Sequence, residues 1–230
     1  MLGCLRLLPC VEPTETNSEG YRALTDHPQE HWDQVYSEKA PSEVSWFQNE
    51  PRSSLAVLDR FAVPASSPFI DIGGGASNLI DALLAREWAD VTVVDIAAPS
   101  LTAAQERLGE AAAGVQWEVA DITRWQPARR YGVWHDRAVF HFLTEPEQQA
   151  AYRAALLSGT APDALVIIAT FAPDGPEKCS GLTVQRHDAA SLAAALGSEF
   201  TLLEDWREDH LTPWASAQKF VWCVFRRNPG

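Results

Sequence analysis

From residue 69 onward, short apolar runs alternate with stripes of apolar residues at helical spacing. Phe69 to Ile72 is the first run, and a helix is predicted from about Asn78 to Trp88, with Leu79, Ile80, Leu83 and Leu84 apolar. Val91 to Val94 is the second run. The next helix starts near Pro99 and places Leu101, Ala104, Leu108 and Ala111 on one stripe. Strands follow at Val115 to Ala120 and Tyr131 to His135, then a helix from Pro146 to about Leu157. Gly159 and Pro162 punctuate the chain before a fifth strand at Ala164 to Thr170. A long loop, Phe171 to Val184, leads to a helix at Ala189 to Leu196, ended by Gly197. Strand and helix in alternation mark a parallel sheet with helices on both faces. The last two strands, Phe200 to Trp206 and Lys219 to Phe225, have no long helix between them and predict an antiparallel hairpin. The expected fold is therefore α/β, a seven-stranded, mostly parallel sheet closed by a carboxy-terminal hairpin. Upstream, Pro28 to Lys39 is predicted as a helix with proline in its first turn. Leu55 to Phe61 is a second short helix, and Ala62 to Pro68 a linker into the first strand.

At 230 residues the chain suits one domain with a substantial core. Residues 27–230 are read as that domain and residues 1–26 as a loose amino-terminal extension. A 46% hydrophobic share fits a globular protein, and no apolar stretch is long enough to span a bilayer. Met1 to Cys10 is mildly apolar and contains Arg6, but its basic region and cleavage site are poor, so a secretory leader is not expected. The four cysteines show no metal-ligand spacing and no disulfide framework, so a reducing cytoplasm is expected. The histidines are scattered without paired spacing, so no metal site is expected. A net charge of -13 repels phosphate backbones and anionic lipid surfaces, which disfavours nucleic acid and membrane partners.

Candidate chemistry concentrates at the strand ends. Phe69-Ile70-Asp71-Ile72-Gly73-Gly74-Gly75-Ala76-Ser77-Asn78 joins a strand to a helix through a glycine loop, the context of a nucleotide-binding turn. Asp95, about twenty residues on, closes the second apolar run, where an acid can accept hydrogen bonds from ribose hydroxyls. Asp121 closes the third. Each acid alone could simply cap the following helix; three in succession would line the ligand-binding edge of an open α/β sheet. Asp71 before the first glycine would repel a diphosphate and suit an ammonium group, such as the amino-acid end of S-adenosylmethionine. On these residues the chain resembles the class I S-adenosylmethionine-dependent methyltransferases, which have a Rossmann-like fold whose last strand is inserted antiparallel between its neighbours. The resemblance implies that Asp71, Gly73 and Gly75 form the first cofactor motif. It makes Asp95, with Ile96, the ribose site and Asp121 with Ile122 the adenine contact.

Further residues enter through narrower likenesses. His31-Trp32-Asp33-Gln34-Val35-Tyr36 and Ser45-Trp46-Phe47 are similar to the segment before the first motif in small protein-lysine methyltransferases, which implies that Trp32, Tyr36 and Trp46 fold over the cofactor. Independently, aromatic faces attract a sulfonium cation; the alternative is ordinary core packing. Tyr131 to Leu143 contains Trp134-His135-Asp136-Arg137 and His141. There the same likeness implies cofactor contact by Arg137, while His135, Asp136 and His141 are the candidate general bases. Their alternatives are structural histidines and a local ion pair. His187, His210 and Cys179 lie in or after loops that could cover an acceptor. The carboxy-terminal layout is similar to small-molecule methyltransferases of the tellurite-resistance and thiol type. A small-molecule acceptor is therefore expected, with a protein lysine as the alternative. A cofactor-binding regulator without turnover and a nicotinamide-dependent enzyme are the readings from other classes.

Overall fold

A computed structural model describes residues 28–229; the expectation for the extension, and Cys4 and Cys10, lie outside them. Six α-helices and nine strands are present among the described residues. The helices are α1 (Pro28–Glu38), α2 (Arg52–Arg60), α3 (Leu79–Ala85), α4 (Ala98–Leu108), α5 (Pro146–Gly159) and α6 (Ala189–Leu196). The strands are β1 (Phe69–Ile72), β2 (Val91–Asp95), β3 (Val115–Val119), β4 (Tyr131–Arg137), β5 (Thr160–Phe171), β6 (Lys178–Cys179), β7 (Leu182–Thr183), β8 (Phe200–Leu211) and β9 (Ala217–Arg227).

Seven strands form one sheet in the order β3-β2-β1-β4-β5-β9-β8. The first five are parallel, and β9 alone runs the other way, antiparallel to β5 on one side and to β8 on the other. The order reverses between β1 and β4, so the carboxyl ends of those strands form the crevice in which open α/β sheets bind ligands. This is the Rossmann-like methyltransferase fold, with the last strand inserted between β5 and β8 as expected.

The parallel strands are apolar runs because both of their faces are covered. Successive side chains point to opposite faces. Phe69, Val133, Leu165 and Ile167 pack with Leu55 and Leu58 of α2 and Leu79 and Leu83 of α3. Ile70, Trp134, Val166 and Ile168 pack with Tyr152 and Leu156 of α5 and Leu192 of α6. Strand β8 is a sheet edge and reads differently, alternating buried or half-buried with exposed residues along Phe200–Leu211. Its Glu204, Asp205, Arg207, Glu208 and Asp209 discourage pairing with another chain.

Three features differ from expectation. Strand β5 starts at Thr160, four residues early, and its pairing with β4 shifts register between Tyr131 and Val133. Strands β8 and β9 extend to a tight connection at residues 212–216. The loop after β5 holds a small hairpin in which Lys178 pairs with Thr183 and Cys179 with Leu182.

Candidate active site

The carboxyl edge of the sheet carries a cavity of about 760 Å³ and, beside it, a cleft of about 40 Å³. Tyr36, Trp46, Gly73 and Arg137 line both. The larger is within the size range of small-molecule sites.

Glycines make the floor possible. Gly73 has φ +69°, and a Cβ there would strike Val139. A Cβ on Gly74 would strike the Asp71 carboxylate, and one on Gly75 would strike Ser100. The backbone therefore approaches closer than any side chain allows.

The three acids stand on adjacent strands. Asp71 is buried in β1 and lines the cleft. Its Oδ1 meets His135 Nδ1 at 2.6 Å, and its Oδ2 has no partner. Asp95 lines the large cavity; Gly75 N–H donates to its Oδ2 at 3.0 Å and Ala97 N–H to its Oδ1 at 2.9 Å. Burial pushes its carboxyl up to about 6, against those hydrogen bonds and one from Ser100. Asp121 follows β3, lines the same cavity with Ile122, and accepts from Thr123 N–H and Oγ1–H. The helix-capping alternative does not hold for α3 and α4, whose caps are Asn78 and Ala97. Ile96 also lines the cavity, whereas Gly75 touches it only through its bond to Asp95.

Aromatic residues form one wall. Trp32 of α1 meets Trp46 edge-on at 5.6 Å and Phe142 at 5.0 Å, with Tyr36 at 6.3 Å. All four line the cavity. Arg137 stands at its back, its guanidinium 5.0 Å from the Phe220 ring and Nη1 donating to the Trp46 carbonyl at 2.8 Å. Its Nε and Nη2 are buried without partners. Burial lowers it to about 10, so it stays cationic at neutral pH.

The candidate bases are placed elsewhere. His135 lines only the small cleft, and both of its ring nitrogens are engaged, by Asp71 and by Ser54 Oγ at 2.9 Å. Asp136 points to the opposite face of the sheet. Tyr152 O–H donates to its Oδ2 at 2.7 Å, and Val139 and Phe140 N–H to its Oδ1. Burial pushes this carboxyl up to about 6. Asp136 and Arg137 are not a local ion pair, because neighbours on a strand face opposite ways. His141 is fully buried, its Nδ1 accepting from Phe171 N–H at 3.2 Å, and burial lowers it to about 3. The lesser candidates are also enclosed. His210 Nε2 donates to the Ser45 carbonyl at 2.7 Å, His187 is buried, and burial pushes the Cys179 thiol up to about 12. Phe142, Leu143, Leu182 and Thr183 line the cavity without having been singled out in the sequence. Ser54 is the other omission; nothing in its local pattern marks it.

Comparisons with known proteins bear on the fold and on one segment of the chain. Residues 69–157 match the methyltransferase domain family. A malonyl-[acyl-carrier protein] O-methyltransferase of Anoxybacillus flavithermus is 30% identical over 117 residues, which takes in 50% of this chain and 44% of that protein. The chain thus spans less than half the length of this curated relative. Among solved structures, the 1,6-didemethyltoxoflavin-N1-methyltransferase of Burkholderia thailandensis superposes with TM-score 0.65 at 20% identity, covering 95% of this chain and 94% of that one. The N-methyltransferase NodS of Bradyrhizobium japonicum, solved with S-adenosyl-L-homocysteine, gives 0.65 at 15% identity over 86% and 98%. Residues 69–157 thus match a methyltransferase domain, set within the Rossmann-like methyltransferase fold that the solved structures share. Among the described residues no helix is long and apolar enough to cross a membrane.

Proposed function

We propose that the chain moves a methyl group from S-adenosylmethionine to a nucleophile on a small molecule, a thiol, a chalcogen anion or an amine. The observation that carries this is the 760 Å³ cavity, which puts acids from adjacent strands and an aromatic wall around one space. Solved neighbours named for small-molecule acceptors support the acceptor class. The donor set fits the cofactor. Asp71 offers a buried, unpartnered oxygen to an ammonium group, and Arg137 offers two unpartnered N–H-bearing nitrogens to a carboxylate. On this reading Asp95, with Ile96 beside it, takes the ribose hydroxyls and Asp121 with Ile122 the adenine, all four lining the one cavity. Gly73 lets the loop pass close to Val139, and Gly75 lets it lie against Ser100 and the Asp95 carboxylate.

When bound, S-adenosylmethionine supplies a methyl carbon activated by positive sulfur. The protein's part is alignment and exclusion of water, which can lower the barrier by about 7–11 kcal/mol through positioning alone. Trp32, Tyr36, Trp46 and Phe142 line one side of the cavity with aromatic rings, whose faces attract a cation. His135, Asp136 and His141 each have their basic atoms bonded within the protein or sealed from the cavity. This arrangement favours an acceptor that arrives already nucleophilic. Calorimetric titration with S-adenosylmethionine, S-adenosylhomocysteine and NAD tests the first half: micromolar binding of the first two alone is expected. A product screen over thiols, chalcogen anions, amines and lysine-bearing proteins tests the second. Turnover confined to lysine proteins would overturn the small-molecule reading.

A further inference from the structure

His135 sits beside Asp71 in the sheet, since β1 and β4 place the two residues in register. Its ring stacks on Phe69 at 6.1 Å and lies 6.4 Å from Trp222, so it has no room to swing. An ionised Asp71 can only accept, so Nδ1 carries the proton that bonds Oδ1. Nε2 is then free to accept the hydroxyl of Ser54, and a neutral ring satisfies both contacts at 2.6 and 2.9 Å. All three residues are at most 3% exposed. The relay fixes which oxygen of Asp71 is left over: Oδ2, unpartnered, on the side where a Cβ at Gly74 would collide with it.

We propose that His135 is a positioning residue for the cofactor. It holds Asp71 in the rotamer that keeps Oδ2 free for the cofactor's ammonium group, and Ser54 at the start of α2 holds the ring in turn. The proposal rests on the cofactor reading above. It replaces a proton-transfer role for His135 with one exerted through Asp71, and it couples the packing of α2 to cofactor affinity.

The test is calorimetric titration with two ligands, S-adenosylhomocysteine and 5′-methylthioadenosine, which keeps the adenosine but lacks the amino-acid end. His135→Ala should weaken S-adenosylhomocysteine about tenfold, the scale of one hydrogen bond to a charged group, and leave methylthioadenosine within about twofold. His135→Asn places an amide N–H where Nδ1–H stood and should recover affinity to within about threefold of wild type. In an Asp71→Asn background His135→Ala should cost nothing further, because residues acting through one another are not additive. Should His135→Ala not fold, Ser54→Ala carries the comparison, with about a threefold loss for S-adenosylhomocysteine alone. Equal losses for both ligands, or full additivity with Asp71→Asn, would overturn the positioning role. Wild type that binds neither ligand would instead overturn the cofactor reading, and this inference with it.

Discussion

Buried titratable groups set how binding and stability respond to pH. In the proposed complex the Asp95 carboxyl, pushed up to about 6 by burial, accepts from ribose hydroxyls far more strongly when ionised than when protonated. Affinity for S-adenosylhomocysteine should therefore hold above pH 7 and weaken below about 6, losing about tenfold by pH 5, one decade per unit below the pKa. Asp95→Asn should bind more weakly and show little of this slope; a wild-type affinity flat from pH 7 to 5 would count against the ribose role. Stability runs by the same linkage. His141 is neutral in the fold, lowered to about 3, while the unfolded chain takes a proton near 6.5. Its part of the stability is present above pH 6.5 and lost as pH falls toward 3. That amounts to about 2 kcal/mol between pH 7 and 5. Asp95 and Asp136 act the other way: the fold holds their protons more tightly, so their part rises as pH falls from about 6 to about 4. His141→Asn keeps an acceptor for Phe171 N–H but cannot ionise. Urea unfolding should show a lower stability at pH 7 and a gap from wild type that narrows by about 2 kcal/mol at pH 5.

Elements were legible where burial imposes a period. Phe69–Ile72 and Val91–Asp95 are covered on both faces, so their composition alone marks them. The apolar signal of β8 stops at Trp206, yet the ladder continues to Leu211 opposite Ala217, because backbone pairing does not require apolar side chains at an edge. Two-residue strands such as β6 and β7 carry no pattern at all. The site divides in the same way. Asp95 ends β2, and Asp71 and Asp121 lie within two residues of the ends of β1 and β3, so the strand pattern was enough to bring all three to the carboxyl edge. His135 and Asp136 were half readable: alternation along β4 assigns them to opposite faces, but which helix covers each face is a property of the folded chain. The inserted strand is the element on which the sheet closes. Val224 pairs with Ile167 of β5 on one side and Glu204 of β8 on the other and is fully buried. Val224→Pro removes an N–H inside a central strand and should abolish the cooperative unfolding transition seen by circular dichroism. Trp214→Ala, at the exposed hairpin connection, should stay within about 0.5 kcal/mol of wild type.

For the whole molecule the proposed cofactor would be a folding ligand, because the cavity exists only when β1, β2, β3, β4 and α1 are assembled. A ligand at a hundred times its dissociation constant stabilises the folded state by about 2.7 kcal/mol. In a chain of this size that should raise the melting temperature by about 5–10 °C. S-adenosylhomocysteine should give that shift in differential scanning calorimetry, and NAD at the same concentration should give none. Charge then separates cofactor from product. S-adenosylmethionine carries one more positive charge than S-adenosylhomocysteine, and the protein carries a formal net charge of -13. Around the site Asp71, Asp95 and Asp121 outnumber Arg137, so the local field also favours the cation. Salt screens the long-range part of that field, with a Debye length of about 10 Å at 0.1 M and about 3 Å at 1 M. The affinity of S-adenosylmethionine relative to S-adenosylhomocysteine should therefore fall as salt rises between those limits, while S-adenosylhomocysteine alone changes little. If the ratio stays constant across the titration, the acidic surface plays no part in choosing the cofactor over its product. The preference would then rest on the contacts of the sulfonium with the aromatic wall.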